Sequence, residues 1–342
     1  METKIDIVSG FLGAGKTTLI NKLIAEAYAG ERIAVIENEL GETGIDGGDI
    51  AETGVTVTEI TNGCICCSLQ GDFVKGIKEL AETARPDRIV VEPTGIGQIE
   101  DVLAGCRLAS RDLPLSVRAA ITVVSAPLMM GLLDVCGGFY ERQIKGSPLV
   151  VLSAVQELGP GDPPLREIEG AIRRINPDAA VFSQPWDGMD ALRLLASAEE
   201  ATARMLGHEH GHEHGHEHEH GHEHEHGHEH GHGHGHAGHC QGHGDGEAFD
   251  SASFALREGW TEEGMRALVE AMGRGDFGLI FRAKGFVPAS GRLYRLDYAY
   301  GRSDLRPAGR AADGRLVVIG RGMDEASLRG CLEAAGQGLR LS

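Results

Sequence analysis

Four groups of residues in this chain have the types and spacings that chemistry requires. Gly10-Phe11-Leu12-Gly13-Ala14-Gly15-Lys16-Thr17 fits the pattern G-x-x-x-x-G-K-[ST]. Ile5, Ile7 and Val8 ahead of it read as a short buried strand, and Leu19, Ile20, Leu23, Ile24 and Ala27 behind it fall at helical spacing over residues 17–28. Strand, glycine loop and helix together make a phosphate cradle. The loop turns backbone N–H groups onto an anion, and the helix N-terminus adds partial positive charge. Gly10, Gly13, Ala14, Gly15 and Thr18 would line the cradle, Lys16 would reach the β- and γ-phosphates, and the Thr17 hydroxyl would bind Mg²⁺. A plain glycine-rich turn before an amphipathic helix accounts for the glycines but not for the order of all three parts. Glu92 is the second group. It follows an apolar strand at residues 88–91 and leads into Pro93-Thr94-Gly95. Its carboxylate can hold Mg²⁺ or a water on it, and Gly95 leaves room for a γ-phosphate. Alone it would be an ordinary acidic residue at a strand end. With a phosphate loop upstream, Lys16, Thr17 and Glu92 form the expected catalytic set.

The third group is Cys64-Ile65-Cys66-Cys67. Three thiols within four residues can reach one soft ion, and a cysteine-rich tetrahedral site prefers Zn²⁺ or Cu⁺. A fourth ligand is needed: a carboxylate from the segment at Glu37, a water or a nucleotide-dependent side chain. A site left incompletely closed suits a metal meant to leave. The competing reading is a reactive or buried thiol cluster. The fourth group is a tract holding all 17 histidines between His208 and His243, interleaved with Gly and Glu. Neutral imidazoles such as His208, His210, His212 and His214 would bind Zn²⁺, Ni²⁺, Co²⁺ or Cu²⁺ weakly, with Glu as an extra ligand. The bland alternative is a solvated acidic linker whose histidines do nothing.

The elements that must position these groups alternate along the chain. Strands are expected at residues 32–36, 55–60, 88–91, 119–124, 149–152 and 179–182, with helices at 72–84, 99–108, 127–133 and 164–175. Alternation of this kind implies βαβ units and a mostly parallel sheet covered on both faces, with the nucleotide at the C-terminal edge of the strands. The polar segment after residue 37 contains Gly44-Ile45-Asp46 and stands where switch loops of nucleotide hydrolases lie. The pattern breaks after Leu206. The tract has no apolar residues with which to offset its ordering entropy, so a disordered linker is expected there. Structure resumes near Phe249 with a helix capped by Thr261, strands near 279–281, 293–300 and 316–319, and a last helix from Asp324. The expected architecture is an α/β P-loop NTPase domain over residues 1–200, a His/Glu/Gly-rich flexible metal-binding linker over 201–247 and a small α+β domain over 248–342.

Composition narrows the function classes. No run of 18 apolar residues exists, so no membrane span is expected, the acidic net charge argues against an acidic membrane as partner, and the chain starts directly into its first strand, leaving no room for a signal peptide. A net charge of -19 argues against nonspecific nucleic-acid binding. Seven cysteines, an odd number, beside a nucleotide loop point to a reducing, cytoplasmic setting with thiols kept for metal or packing. Cys106, Cys136 and Cys331 stand in apolar helical surroundings and read as core.

Taken together, Gly10 to Thr18, Glu37-Asn38-Glu39-Leu40-Gly41 with Gly44-Ile45-Asp46, Gly63-Cys64-Ile65-Cys66-Cys67, Glu92-Pro93-Thr94-Gly95, Arg282-Ala283-Lys284-Gly285-Phe286 and Val318-Ile319-Gly320 resemble the CobW-like P-loop GTPases. The resemblance runs over nearly the whole chain outside the histidine tract. It implies GTP and Mg²⁺ as cofactors and hydrolysis coupled to delivery of Zn²⁺ or another divalent transition metal, such as cobalt, to a client metalloprotein or cofactor pathway. It further implies metal ligation by Cys66 and Cys67 with Cys64 and Glu37 as helpers, and it leaves a homodimer open. One stretch departs from the pattern. Where the family reads guanine with a motif like Asn-Lys-x-Asp, this chain has Ser153-Ala154-Val155-Gln156-Glu157, lacking both the Lys and the Asp. Ser153 and Gln156 then take the base-side positions, and ATP stays open beside GTP because paired hydrogen bonds to a base edge carry much of the discrimination. A metal store built on the tract and a P-loop kinase acting on a small molecule are the alternative functions.

Overall fold

The computed structural model describes residues 2–37, 56–59, 70–209, 249–289, 291–308 and 314–336. The strand β1 (Thr3–Gly10) is the centre of a seven-stranded parallel sheet. Its partners are β2 (Ile33–Glu37), β3 (Thr56–Glu59), β4 (Arg88–Glu92), β5 (Leu115–Ser125), β6 (Leu149–Ser153) and β7 (Ala180–Phe182), in the spatial order β3-β2-β4-β1-β5-β6-β7. Near-continuous apolar strands such as Ile33–Glu37 and Arg88–Glu92 form here because a parallel sheet is buried on both faces. On one face lie α1 (Lys16–Glu26) and α6 (Ala191–Glu209), whose Leu19, Ile20, Leu23, Leu194 and Ala198 pack on Val8, Val35, Val90 and Ile121. On the other lie α2 (Gln70–Thr83), α3 (Ile99–Ala109), α4 (Met129–Lys145) and α5 (Leu165–Ile175), over Ile5, Ile7, Ile36, Val91, Val150 and Leu152.

Two helices depart from the sequence reading. α4 reaches Lys145, far beyond residue 133. The helix is interrupted at Gly137, whose φ of 44° is not helical, and resumes beyond it, where Phe139, Tyr140, Gln143 and Ile144 are buried. α6 runs through residue 200 to Glu209, so the helix carries the chain past the expected end of the first domain and includes His208 in its last turn. Burial explains the extension: Ala201 and Thr202 are buried, and the Thr202 hydroxyl accepts a hydrogen bond from the Ala120 N–H of β5 at 2.9 Å.

The second unit is an antiparallel sheet of β8 (Asp250–Leu256), β9 (Leu279–Ala289), β10 (Arg292–Ala299), β11 (Arg302–Pro307) and β12 (Gly314–Arg321), in the order β11-β10-β9-β12-β8. Two helices, α7 (Glu262–Arg274) and α8 (Glu325–Gly336), cover one face through Met265, Leu268, Met272, Leu328 and Leu332. β11 is an edge strand of mostly exposed polar residues, which is why apolar alternation does not reveal it. Phe249, Phe281 and Ile319 belong instead to the cluster that contains Phe11 and Leu12, so the second unit packs on the phosphate loop of the first.

Candidate functional site

The loop after β1 closes on the N-terminus of α1. Gly15 is its N-cap at φ 101°, a left-handed conformation that glycine tolerates without strain. No side chain caps the helix and its first turn holds no acidic residue. The first N–H groups and the positive end of the dipole are thus left for an external anion. Gly10 ends β1 and pairs with Val123 of β5, which fixes where the loop begins.

Lys16, Thr17 and Glu92 come together at this point. The Thr17 hydroxyl lies 3.2 Å from each Glu92 carboxylate oxygen. The Lys16 ammonium lies 3.9 Å from Glu92 Oε1 and donates to the Phe11 carbonyl at 3.3 Å. Lys16 is only 8% exposed, so its charge acts at low local dielectric and is little screened. A hydroxyl and a carboxylate side by side are the hard oxygen donors that Mg²⁺ selects, so the residues present fit that ion. The strand β4 positions Glu92 in register with Glu37 of β2, and Glu37 in turn with Glu59 of β3. Three carboxylate residues therefore stand in a row at the C-terminal edge of adjacent strands, and Glu37 is buried. Cys64, Cys66 and Cys67 lie outside the described residues, as do His210, His212 and His214. Among the described residues no three metal-ligating side chains gather into a site.

Gly95 presses on the loop from the other side. A Cβ there would lie 2.5 Å from the Leu12 backbone nitrogen, so only glycine permits this approach. Gln143 of α4 holds the segment in place, donating from Nε2 to the Gly95 carbonyl at 2.9 Å and to the Gly97 carbonyl at 3.1 Å. The base side is tied to the loop as well. The Ser153 hydroxyl donates to the Ala14 carbonyl at 2.6 Å, and Trp186 donates from its indole N–H to the Leu152 carbonyl at 2.9 Å. The Trp186 ring edge stands 3.3 Å from where a Cβ on Gly15 would be. Gln156 is exposed on the following 3₁₀ turn, Val155–Glu157, and Thr18 is exposed on α1. The sequence reading missed Gln143 and Trp186. Gln143 contacts residues 46 and 48 positions away and carries no local signal, whereas tryptophan, present twice in the chain, was a signal by its rarity alone.

This geometry coincides with a family match. Residues 4–183 fit the model of the CobW/HypB/UreG nucleotide-binding domain, and residues 249–336 fit that of the cobalamin synthesis protein cobW C-terminal domain. The chain belongs to the CobW family. Among its relatives, the zinc chaperone YeiR of Escherichia coli K12 is 30% identical over 172 residues, covering 50% of this chain and 51% of YeiR. The zinc chaperone CobW of Sinorhizobium sp is 38% identical over 127 residues, covering 35% of this chain and 36% of that protein. The zinc chaperone YjiA of Escherichia coli K12 is 29% identical over 195 residues, covering 54% and 58%. The chain thus spans between about a third and three fifths of the length of these CobW-family relatives. Among the described residues, no helix is long and apolar enough to cross a membrane.

Proposed function

We propose that this protein is a GTP-hydrolysing metallochaperone whose cargo is a divalent transition metal, zinc before cobalt, delivered to a client metalloprotein in the cytoplasm. One observation carries the reading. Lys16, Thr17 and Glu92 converge on the uncapped N-terminus of α1, which is the donor set a nucleoside triphosphate requires. The names of the relatives supply the cargo, and the Cys64-Ile65-Cys66-Cys67 motif supplies thiolates to hold it.

In the proposed reaction a water attacks the γ-phosphorus in line with the bridging oxygen to the β-phosphate. The bridging bond breaks, charge moves to the β-phosphate, and the water proton leaves with inorganic phosphate. Lys16 and the first N–H groups of α1 stabilise the charge that develops. Thr17 and Glu92 would hold Mg²⁺, which when bound supplies charge neutralisation at the phosphates. Glu37 sits one strand from Glu92 and in register with it, about 4.8 Å away at the backbone. It precedes the Cys64-Ile65-Cys66-Cys67 motif in the sequence, and loss of the γ-phosphate would change the hold of those thiolates on the metal. On the base side, Ser153 is occupied with Ala14, so guanine keeps few of its usual partners.

Phosphate release from GTP by wild type and Lys16→Ala tests the reading. Loss of turnover in the variant, at unchanged fold, is the expected result. Near-wild-type turnover would contradict it.

A further inference from the structure

The open face of the second sheet lies over the phosphate loop. The Phe11 ring meets Phe281 edge to face at 5.7 Å between centroids, and Phe249 at 6.0 Å and Tyr300 at 6.1 Å complete the contact. Beside this anchor, Arg282 of β9 and Ala299 of β10 are cross-strand partners. A Cβ on Gly13 would lie 2.8 Å from the Ala299 Cβ and 3.8 Å from Arg282 Nη1. The next strand reaches the other end of the site, where Arg302 of β11 pairs with Glu157 on the 3₁₀ turn after β6. Strands β9 to β11 therefore bridge the phosphate loop and the base-side turn.

Arg282 is held but not consumed by its own sheet. Its Nη2 makes a long bond of 3.4 Å to Asp297 Oδ2, both side chains are partly exposed, and Nη1 is the Arg282 atom within 4 Å of where a Cβ on Gly13 would be. A guanidinium carries five donors in a flat fork that matches phosphate oxygens, and it stays protonated throughout.

We propose that Arg282 is a catalytic residue delivered in cis by the C-terminal domain, contacting the nucleotide phosphates beside Gly13 and stabilising the charge that builds as the γ-phosphate departs. The proposal rests on the nucleotide hydrolysis set out above. The bonds made and broken are those of that reaction; Arg282 adds a fixed positive charge and hydrogen bonds and gains or loses no proton. It also gives the second domain a part in turnover, since the strand that packs Phe281 on Phe11 carries the arginine one residue later.

The test compares GTP turnover and GDP affinity in full-length wild type, Arg282→Ala, Arg282→Lys, Asp297→Asn and Lys16→Ala. Arg282→Ala is expected to lower kcat by at least about 100-fold, with GDP affinity changed far less and an unchanged melting profile. Arg282→Lys should recover only a small part, because a lysine cannot make the forked contact. Asp297→Asn should stay within a few-fold of wild type, because it touches only the tether. Turnover that depends on Lys16 but is within about threefold of wild type in Arg282→Ala would overturn this proposal alone. An Asp297→Asn loss as large as that of Arg282→Ala would also overturn it, by making Arg282 a structural tether. No turnover in wild type would overturn the hydrolysis reading and this proposal with it.

Discussion

At residue scale, the most heavily buried charges lie away from the phosphates, at the opposite edge of the sheet. Arg88 and Asp6 form an ion pair with side chains 3% and 1% exposed, joined by the Tyr28 hydroxyl, which donates to Asp6 at 2.7 Å, and by Glu31, which accepts from Arg88 Nε at 2.6 Å. Burial pushes the Asp6 carboxyl above its ordinary range more than the Arg88 guanidinium pulls it down. Breaking such a pair from one side leaves a buried charge uncompensated, so Arg88→Leu should cost about 3–5 kcal/mol in a urea melt. A variant as stable as wild type would show that water reaches Asp6. Cys106 makes the opposite case. Burial pushes its thiol up to about 12, so iodoacetamide at pH 8 should spare it in the folded protein and label it after denaturation, as read by peptide mass spectrometry. Rapid native labelling would contradict its place in the core. Residues of this kind show how far a sequence can be read. The phosphate loop and Glu92 were legible because their chemistry is written in local spacing. Asp6, Arg88 and Gln143 were not, because each acquires its role from a partner distant in the chain.

At element scale, legibility followed apolar periodicity. The β1 strand, α1, β4 and β6 carry strong patterns and stand where the pattern places them. The failures have separate physical causes. In α4 a second buried helical segment follows a non-helical Gly137, α6 is rich in small alanines that run into the histidine tract, and β11 is an exposed edge strand without alternation. The α7 cap was readable outright: the Thr261 hydroxyl accepts from the Gly264 N–H at 3.0 Å, with Glu262 and Glu263 in the first turn. Replacing it, Thr261→Ala should lower stability by about 1 kcal/mol in a denaturant melt. An unchanged midpoint would mean that the neighbouring glutamates carry that end of the helix.

At the scale of the whole molecule, three couplings meet at the phosphate loop: to the base side through Ser153 and Ala14, to the second domain through Phe11 and Phe281, and to Glu37 through the register with Glu92. The opposite edge of the sheet contributes to behaviour in acid. Hydrogen bonds from the Arg32 guanidinium and backbone hold the Asp87 carboxyl at about 2, below its ordinary 3.8. For Glu31, burial pushes upward, but bonds from Arg88 and Lys4 outweigh it and leave the carboxyl below its ordinary 4.5. Both groups bind protons more weakly folded than unfolded, so their contribution is full above pH 4.5 and is lost as pH falls toward about 2. Melting temperature should drop across that window, and Asp87→Asn should flatten its lower part; an identical acid profile in the variant would contradict the Arg32 pairing. The central claim is that nucleotide state sets the hold on the metal. It is tested most directly by titrating Zn²⁺ into the protein loaded with GDP or with a non-hydrolysable GTP analogue, using a chelator of known affinity as competitor. The account predicts one tight site whose Kd differs by about tenfold or more between the two states. Equal Zn²⁺ affinity in both states would contradict it.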